Sequence, residues 1–268
     1  MSRFLKPFLS RRLLALLLCV FSVASAEEIL FIGNSFTHGH DPRLSKHGGV
    51  PAVFEAIARA KGKEVNVTMV APSGKDWRFH LSNRETLKTV GSKRWDKVVL
   101  QDFSTRPTHI GDKKAFFKDG EALSKLIWRS SPRATIVLYR TWARHPGNSM
   151  YSTEGKKSSF RNFDEMDGQL GKSYRSLLGK LKSGKHAKQF LLAPVGEAFA
   201  LTVKDFPTAK IYAPDLYHAA PDGSYLAALV FYSTIYSESP LGAIREFPTF
   251  SVDEAIAGEL QKLAETLR

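Results

Sequence analysis

The chain contains 268 residues, of which 43% are hydrophobic, 11% aromatic and 24% charged. This composition is typical of a single globular domain and excludes a disordered tail, a collagen-like chain and a coiled coil. The single cysteine excludes a disulfide framework and a cysteine-rich zinc site. The formal net charge is +13, but the basic residues are scattered along the sequence, which favours a solvated basic surface and no nucleic-acid partner.

The first 26 residues have the three parts of a secretory signal peptide. Four basic residues precede the apolar run from Leu13 to Val23, and small residues follow from Ala24 to Ala26. The apolar run is shorter than the roughly 20 residues that a membrane span needs, although an uncleaved anchor is the alternative. We therefore predict a signal peptide over residues 1–26, a domain over residues 27–268, a secreted or periplasmic location and no stable membrane insertion after cleavage.

Short apolar runs alternate with longer amphipathic segments through the rest of the chain. The predicted strands are Ile29–Ile32, Val65–Ala71, Lys97–Gln101, Ala134–Tyr139 and Phe190–Pro194. The predicted helices are Val50–Ala60, Lys113–Arg129, Phe163–Leu181, Asp222–Ser237 and Val252–Leu267. This alternation predicts one doubly wound α/β domain with a parallel sheet covered on both faces. Long irregular segments follow the strands, and the carboxyl edge of such a sheet is where ligands bind.

Two separated motifs carry groups for nucleophilic catalysis. The first strand runs directly into a Gly-Asn-Ser motif that ends at Ser35, although a serine there is also typical of a turn or a helix cap. Near the other end, Asp215 precedes His218 by three residues in a predicted loop. An acid at this spacing can accept a hydrogen bond from one ring nitrogen, which leaves the other nitrogen to accept a serine proton.

Two further loops carry candidate donors for a developing oxyanion. The Ser-Gly-Lys motif around Gly74 follows the second strand, and glycine lets the backbone approach a ligand closely. Gln101 ends the third strand with a side-chain amide that can donate a hydrogen bond. We therefore expect nucleophile, base, acid and oxyanion donors to meet at one edge of the sheet.

The sequence resembles the SGNH (GDSL-like) serine hydrolase superfamily in the order of four motifs, at Ser35, Gly74, Gln101 and Asp215-x-x-His218. It is more closely similar to a secreted bacterial subgroup of unknown function. The stretches that carry the resemblance are LFIGNSFTHGHD, WDKVVLQDFS, LYRTWARHPG, LLAPVGEAFA and DGSYLAALVFY. The resemblance implies an α/β fold of the flavodoxin-like type, a three-layer α/β/α sandwich with a five-stranded parallel sheet. It also implies ester hydrolysis without a metal or another cofactor.

The resemblance assigns a role to each residue that matches a motif. Ser35 would be the nucleophile, His218 the general base and Asp215 its partner. The backbone amides of Ser35 and Gly74, with the side chain of Gln101, would form the oxyanion hole. The superfamily usually has asparagine where this sequence has Gln101, and its first motif reads GDSL where this one reads GNSF. The expected function is that of a secreted serine esterase acting on acyl esters, acetyl esters among them, of a carbohydrate or another small molecule.

Four residues in or beside the loops are predicted to contact the substrate: Asn34, Trp77, Trp142 and Arg144. Tryptophan at the edge of a site can stack on a sugar ring, and the alternative is that both indoles cover the end of the sheet. Arg106 and Arg144 could instead hold an acidic substrate.

Two other classes of function remain as alternatives. One is a catalytically inactive protein that binds glycans through the same edge of the sheet. The other is a metal-dependent hydrolase that uses the cluster from His38 to Asp41, with His47 nearby. A catalytic metal needs further ligands from separate loops, and the candidates elsewhere are already placed beside Ser35, so the sequence predicts no metal site.

Overall fold

The computed structural model describes residues 25–151, 159–184 and 186–268. Residues 1–24, which make up most of the predicted signal peptide, lie outside the described residues. The first strand begins at Glu27, directly after the predicted cleavage site.

The centre of the structure is a five-stranded parallel sheet with the strand order β2-β1-β3-β4-β5. The strands are β1 (Glu27–Ile32), β2 (Val65–Val70), β3 (Lys97–Leu100), β4 (Thr135–Tyr139) and β5 (Phe190–Ala193). All five predicted strands are confirmed, because each is an apolar run that is short enough for a strand and is buried by helices on two faces. Phe31 of β1 pairs with Met69 on one side and Val99 on the other.

Ten α-helices, a short 3₁₀-helix (Ala187–Gln189) and a small antiparallel pair of strands make up the rest of the regular structure within the described residues. The helices are α1 (Ser35–His38), α2 (Pro42–Ser45), α3 (Gly49–Ala60), α4 (Trp77–His80), α5 (Arg84–Gly91), α6 (Lys113–Ser130), α7 (Phe163–Lys182), α8 (Val195–Asp205), α9 (Pro221–Tyr236) and α10 (Glu254–Thr266). The strand pair is β6 (Glu246–Phe247) and β7 (Phe250–Ser251). The five predicted helices are confirmed as α3, α6, α7, α9 and α10. The sequence did not predict α1, α2, α4, α5 and α8. The helices α1, α2 and α4 are too short to show an apolar period, whereas α8 carries a detectable one in Val195, Ala198 and Phe199.

Alternate residues of the strands pack into two separate hydrophobic cores, one on each face of the sheet. Phe31 packs into a core with α3, α8, α9 and α10, and Leu30 packs into a core with α6 and α7 on the other face. Helix α9 is buried almost all round, which explains why its sequence is apolar on every side. The predicted three-layer α/β/α sandwich is confirmed, and its strand order is that of flavodoxin-like sheets. Within the described residues, no helix is both long enough and apolar enough to cross a membrane.

Candidate active site

Ser35 is the first residue of α1 and lies just beyond the carboxyl end of β1. The side chain of Asn34 caps this short helix, since its Oδ1 accepts a hydrogen bond from Phe36 N at 3.1 Å. The amide group of Asn34 donates to Lys75 O at 2.7 Å and so ties the serine loop to the loop that follows β2. Ser35 itself is partly exposed in a surface cavity.

His218 and Asp215 lie beside Ser35, although 183 positions separate the histidine from the serine in sequence. His218 Nε2 is 2.8 Å from Ser35 Oγ, and His218 Nδ1 is 2.6 Å from Asp215 Oδ2. The other carboxylate oxygen of Asp215 accepts from the backbone N–H groups of Tyr217 and His218. Leu216 follows Asp215 and has a left-handed conformation with φ of 63°. This tight turn brings the carboxylate of Asp215 within hydrogen-bond distance of His218 Nδ1.

The surroundings favour an ionised acid and a neutral base. Burial raises the pKa of Asp215, but the hydrogen bonds from His218 and Tyr217 outweigh this effect, so the pKa lies below its usual value. Burial also lowers the pKa of His218, and the nearby His40 and Arg144 lower it further against the opposing effect of Asp215. At neutral pH His218 is therefore neutral, with its Nδ1–H donating to Asp215 and its Nε2 able to accept a proton.

Two backbone N–H groups beside Ser35 are free to bind an anion. Ser35 N is the first amide of α1, and Gly74 N lies in the loop after β2 with φ of 70°. Neither amide donates a hydrogen bond to another group among the described residues. Both residues line the cavity, and their backbone N–H groups stay the predicted donors of an oxyanion hole.

Gln101 is not placed as a third oxyanion donor, and this part of the prediction is wrong. Its side chain is fully buried, and its Oε1 accepts from Asn34 N at 2.8 Å and Thr37 Oγ1 at 3.0 Å. Its amide nitrogen donates to the backbone oxygen of Asp102. Every polar atom of this amide is thus used beneath the serine loop, where Gln101 supports the backbone that carries Ser35.

Neither tryptophan is available to a ligand, and their predicted role in substrate binding is wrong. Trp77 is 0% exposed and packs against Phe116 with ring centroids 5.1 Å apart. Trp142 is 1% exposed, stacks between Phe36 and Phe199, and donates from Nε1 to Tyr217 O. Both indoles close the end of the sheet, which is the alternative that the sequence left open.

Two more of the predicted substrate contacts are used inside the protein. Asn34 lines the cavity but is only 2% exposed, and both ends of its side-chain amide are hydrogen-bonded to the backbone. It therefore positions the serine loop, and its contact with the substrate stays a prediction. Arg106 has a buried guanidinium that forms ion pairs with Asp76, Asp102 and Asp119. Arg144, in contrast, lines the cavity as predicted.

The cavity around Ser35 has a volume of about 510 Å³. Its lining comes from five loops and consists of Asn34, Ser35, Phe36, His38, Gly39, His40, Ser45, Ser73, Gly74, Phe103, Ser104, Arg144, Tyr217 and His218. Sequence reasoning missed Phe103, Ser104 and Tyr217 as lining residues. Phe103 and Ser104 follow a strand directly, and this position was the signal that could have identified them.

The histidines after Ser35 do not assemble into the alternative metal site. His38 Nε2 is 2.8 Å from Ser73 Oγ, while Asp41 caps α2 and pairs with Arg43. His40 instead lies close to Asp215 and His218, with one potential ligand atom of each within 4.8 Å of the others. The rings of His40 and His218 are parallel, with an interplanar angle of 5° and centroids 4.6 Å apart. Because the nitrogen lone pairs lie in the ring planes, two parallel stacked rings do not converge on one ion.

Solved structures with the same fold include known and assigned ester hydrolases. A DUF4886 family protein from Bacteroides uniformis is 16% identical with a TM-score of 0.64, over 90% of this chain and 94% of that chain. A member of the lipolytic G-D-S-L family from Veillonella parvula is 15% identical with a TM-score of 0.54, over 80% and 100%. An acetyl xylan esterase from Geobacillus stearothermophilus is 18% identical with a TM-score of 0.50, over 82% and 96%.

The sequence by itself gives no such match. No protein-family model matches it. No curated protein matches it. The structural likeness shows that the chain has the fold of the SGNH (GDSL-like) hydrolase superfamily, as the resemblance of its motifs implied.

Proposed function

We propose that this protein is a secreted serine esterase that hydrolyses acyl esters of a carbohydrate or another small alcohol through a Ser35-His218-Asp215 triad. The observation that carries the proposal is the continuous hydrogen-bonded chain from Asp215 through His218 to Ser35, which opens into a cavity beside two free backbone N–H groups. The ester-hydrolysing proteins among the structural neighbours support this reaction class.

The reaction follows from the chemistry of these groups. Ser35 Oγ attacks the ester carbonyl carbon while His218 Nε2 accepts its proton, and Asp215 stabilises the imidazolium that forms. The negative charge on the former carbonyl oxygen is stabilised by Ser35 N–H and Gly74 N–H. His218 then donates its proton to the departing alkoxide, and an acyl group remains on Ser35. Water repeats the cycle against this acyl-enzyme and releases the acid.

The substrate class is proposed from the site and from the comparisons. The cavity is lined by serine, histidine and arginine side chains beside the aromatic residues Phe36, Phe103 and Tyr217, and this mixed lining suits a short acyl group on a hydroxylated alcohol. An acetyl xylan esterase shares the fold, and this supports acetyl esters as the first substrates to test. The sequence of residues 1–26 supports export to the periplasm or the medium.

The test measures hydrolysis of para-nitrophenyl acetate by the purified protein that begins at Glu27. Ser35→Ala and His218→Ala are each expected to lower kcat by at least about 10⁴-fold, because each removes one member of the triad. Ser183→Ala is the matched control, since this exposed serine lies outside the cavity at the end of α7. Activity that survives in Ser35→Ala would contradict the proposal.

Two further measurements distinguish the esterase from the two alternative functions, a metal-dependent hydrolase and a glycan-binding protein without catalysis. A chelator is expected to leave hydrolysis unchanged, and loss of activity on chelation would favour a metal-dependent hydrolase. A binding protein without catalysis would bind acetylated oligosaccharides and hydrolyse no ester. Release of acetate from acetylated oligosaccharides, compared with cleavage of short-chain lipid esters, tests the carbohydrate part of the proposal.

A further inference from the structure

The cavity lining has one permanently charged side chain among the described residues, that of Arg144. Arg144 and the three histidines His38, His40 and His218 line it, and no aspartate or glutamate does so among the described residues. Asp215 is not part of the lining, and its carboxylate is hydrogen-bonded to His218 Nδ1. The chain from Glu27 onwards is also basic, with 35 lysine and arginine residues against 26 aspartate and glutamate residues and a formal net charge of +9, and a positive protein attracts anionic ligands.

Arg144 is the one guanidinium in this lining among the described residues, and its side chain donates no hydrogen bond to any of them. Among the described residues, no carboxylate lies within ion-pair distance of it, and its buried Nε has no hydrogen-bond partner. The buried arginines Arg106 and Arg140 differ, since both form ion pairs with carboxylates. Burial lowers the pKa of Arg144, but a guanidinium keeps its charge at physiological pH.

The guanidinium of Arg144 lies over the ring of Tyr217. Its guanidinium carbon lies 4.2 Å from the centroid of the Tyr217 ring, and the centroid of that ring in turn lies 4.0 Å from the centroid of the His218 imidazole. The guanidinium is therefore located one aromatic ring away from the proposed base. A planar guanidinium is well suited to binding a carboxylate through two hydrogen bonds.

We propose that Arg144 binds a carboxylate on the alcohol part of the ester, so that the preferred substrates are acyl esters of acidic alcohols such as uronic acid residues. This inference rests on the proposed esterase function and names its substrate class. The alcohol side is assigned because His218 must protonate the departing alkoxide, which places the alcohol next to His218 and thus towards Tyr217 and Arg144. The carbonyl oxygen binds to Ser35 N and Gly74 N, the proposed oxyanion donors.

The experiment compares the release of acetate from two acetyl esters, para-acetoxybenzoate and its methyl ester, which carry a carboxylate and a neutral methyl ester at the para position. For the wild-type protein, kcat/KM is expected to be about 10- to 100-fold higher for the anion, which is the usual size of a charge-assisted contact. Arg144→Gln is expected to bring this ratio close to one, and Arg144→Lys is expected to give an intermediate ratio. Arg133→Gln is the matched control, because it removes the same charge at the opposite, amino-terminal end of β4.

A third ester decides which side of the substrate carries the charge. Mono-para-nitrophenyl succinate has its carboxylate on the acyl part, and Arg144→Gln is expected to change its kcat/KM less than that of para-acetoxybenzoate. The inference is overturned if the wild-type protein shows no preference for the anion, if Arg144→Gln lowers kcat/KM equally for the anionic and neutral esters, or if the preference belongs to the succinate alone.

A binding measurement separates this inference from the proposed function. Calorimetry on Ser35→Ala is expected to show tighter binding of para-hydroxybenzoate than of its methyl ester, and the additional Arg144→Gln change is expected to abolish that difference. If no ester is hydrolysed but this difference in binding remains, the esterase proposal fails and the anion site at Arg144 stands. If hydrolysis depends on Ser35 but the difference in binding is missing, the anion site fails and the esterase proposal stands.

Discussion

His40 and His218 lie face to face, with parallel rings 4.6 Å apart, and they share one carboxylate. His218 Nδ1 is 2.6 Å from Asp215 Oδ2, and His40 Nε2 is 3.8 Å from the same oxygen. His40 is also much the more exposed of the two, with 56% of its side chain accessible. A protonated His40 therefore repels a protonated His218 and lowers its pKa.

The first prediction concerns the pH dependence of activity in His40→Gln. Removing the positive charge that forms on His40 raises the pKa of His218, so more of the base is protonated at a given acidic pH. The acidic limb of the kcat/KM profile is expected to move to higher pH, and activity above neutral pH is expected to change little. The profile is measured from pH 5 to pH 9 with para-nitrophenyl acetate. The matched control is His47→Gln, which changes an exposed histidine outside the cavity; a limb that moves to lower pH would contradict the repulsion.

Gly74→Ala tests the backbone donor of the proposed oxyanion hole. A Cβ atom at Gly74 would meet nothing within 4 Å, so the cost comes from the positive φ of 70°, about 1 kcal/mol of stability. Relief of this strain would rotate the amide away from the cavity, and kcat is expected to fall by up to about 100-fold with little change in KM.

Gly62→Ala is the control for the Gly74 prediction. Gly62 also has positive φ, 81°, and open space around its Cβ position, but it precedes β2 at the opposite edge of the sheet. It is expected to lose similar stability in thermal unfolding and to keep its kcat. Equal losses of kcat in the two variants would remove Gly74 N–H from the mechanism.

Gln101→Leu tests whether this amide supports the serine loop as an acceptor. The change leaves Asn34 N–H and the Thr37 hydroxyl without their buried acceptor, so the free energy of unfolding is expected to fall by about 1–3 kcal/mol in urea. Thr37→Val alone is expected to destabilise the protein, but to cost less when Gln101 is already leucine. Strict additivity of the two changes would show that the hydrogen bond between the two side chains contributes nothing to stability.

Asp102→Asn is expected to change how stability depends on pH. Burial raises the pKa of Asp102 to about 6, against the opposing effect of Arg106. Between its unfolded value near 3.8 and about 6, the folded state binds more protons than the unfolded state, so this group's contribution is present at low pH and is lost as pH rises. A difference of about two pKa units between the folded and unfolded states corresponds to about 3 kcal/mol in the free energy of unfolding.

Urea unfolding at pH 4 and pH 7 measures this contribution. The loss of stability caused by Asp102→Asn is expected to be larger at pH 4 than at pH 7, because the wild-type protein gains from proton binding at the lower pH and the variant does not. Asp96→Asn provides a comparison with an aspartate that is exposed beside β3. A penalty that grows towards neutral pH would show that Asp102 is ionised throughout.

The regular structure of this protein could be predicted from sequence because its signals are local. Runs such as Ile29–Ile32 are short, apolar and followed by turn residues, and helices such as α7 carry an apolar period over many turns. The order of these elements then places the loops after the strands at one edge of the sheet. Ser35 and the Asp215-x-x-His218 spacing could be recognised for the same reason, since each is a short pattern at the end of an element.

What only the tertiary structure decided is which loop side chains reach the cavity. Trp77 and Trp142 follow strands just as Phe103 and Arg144 do, but the indoles pack against Phe116 and Phe199 from distant parts of the chain. Gln101 has a donor and an acceptor, and the neighbouring Asn34 and Thr37 determined which of them faces the serine loop. A sequence pattern describes which residue types follow one another along the chain and at what spacing. The burial of a loop side chain depends on partners brought to it by folding, and no local pattern carries that information.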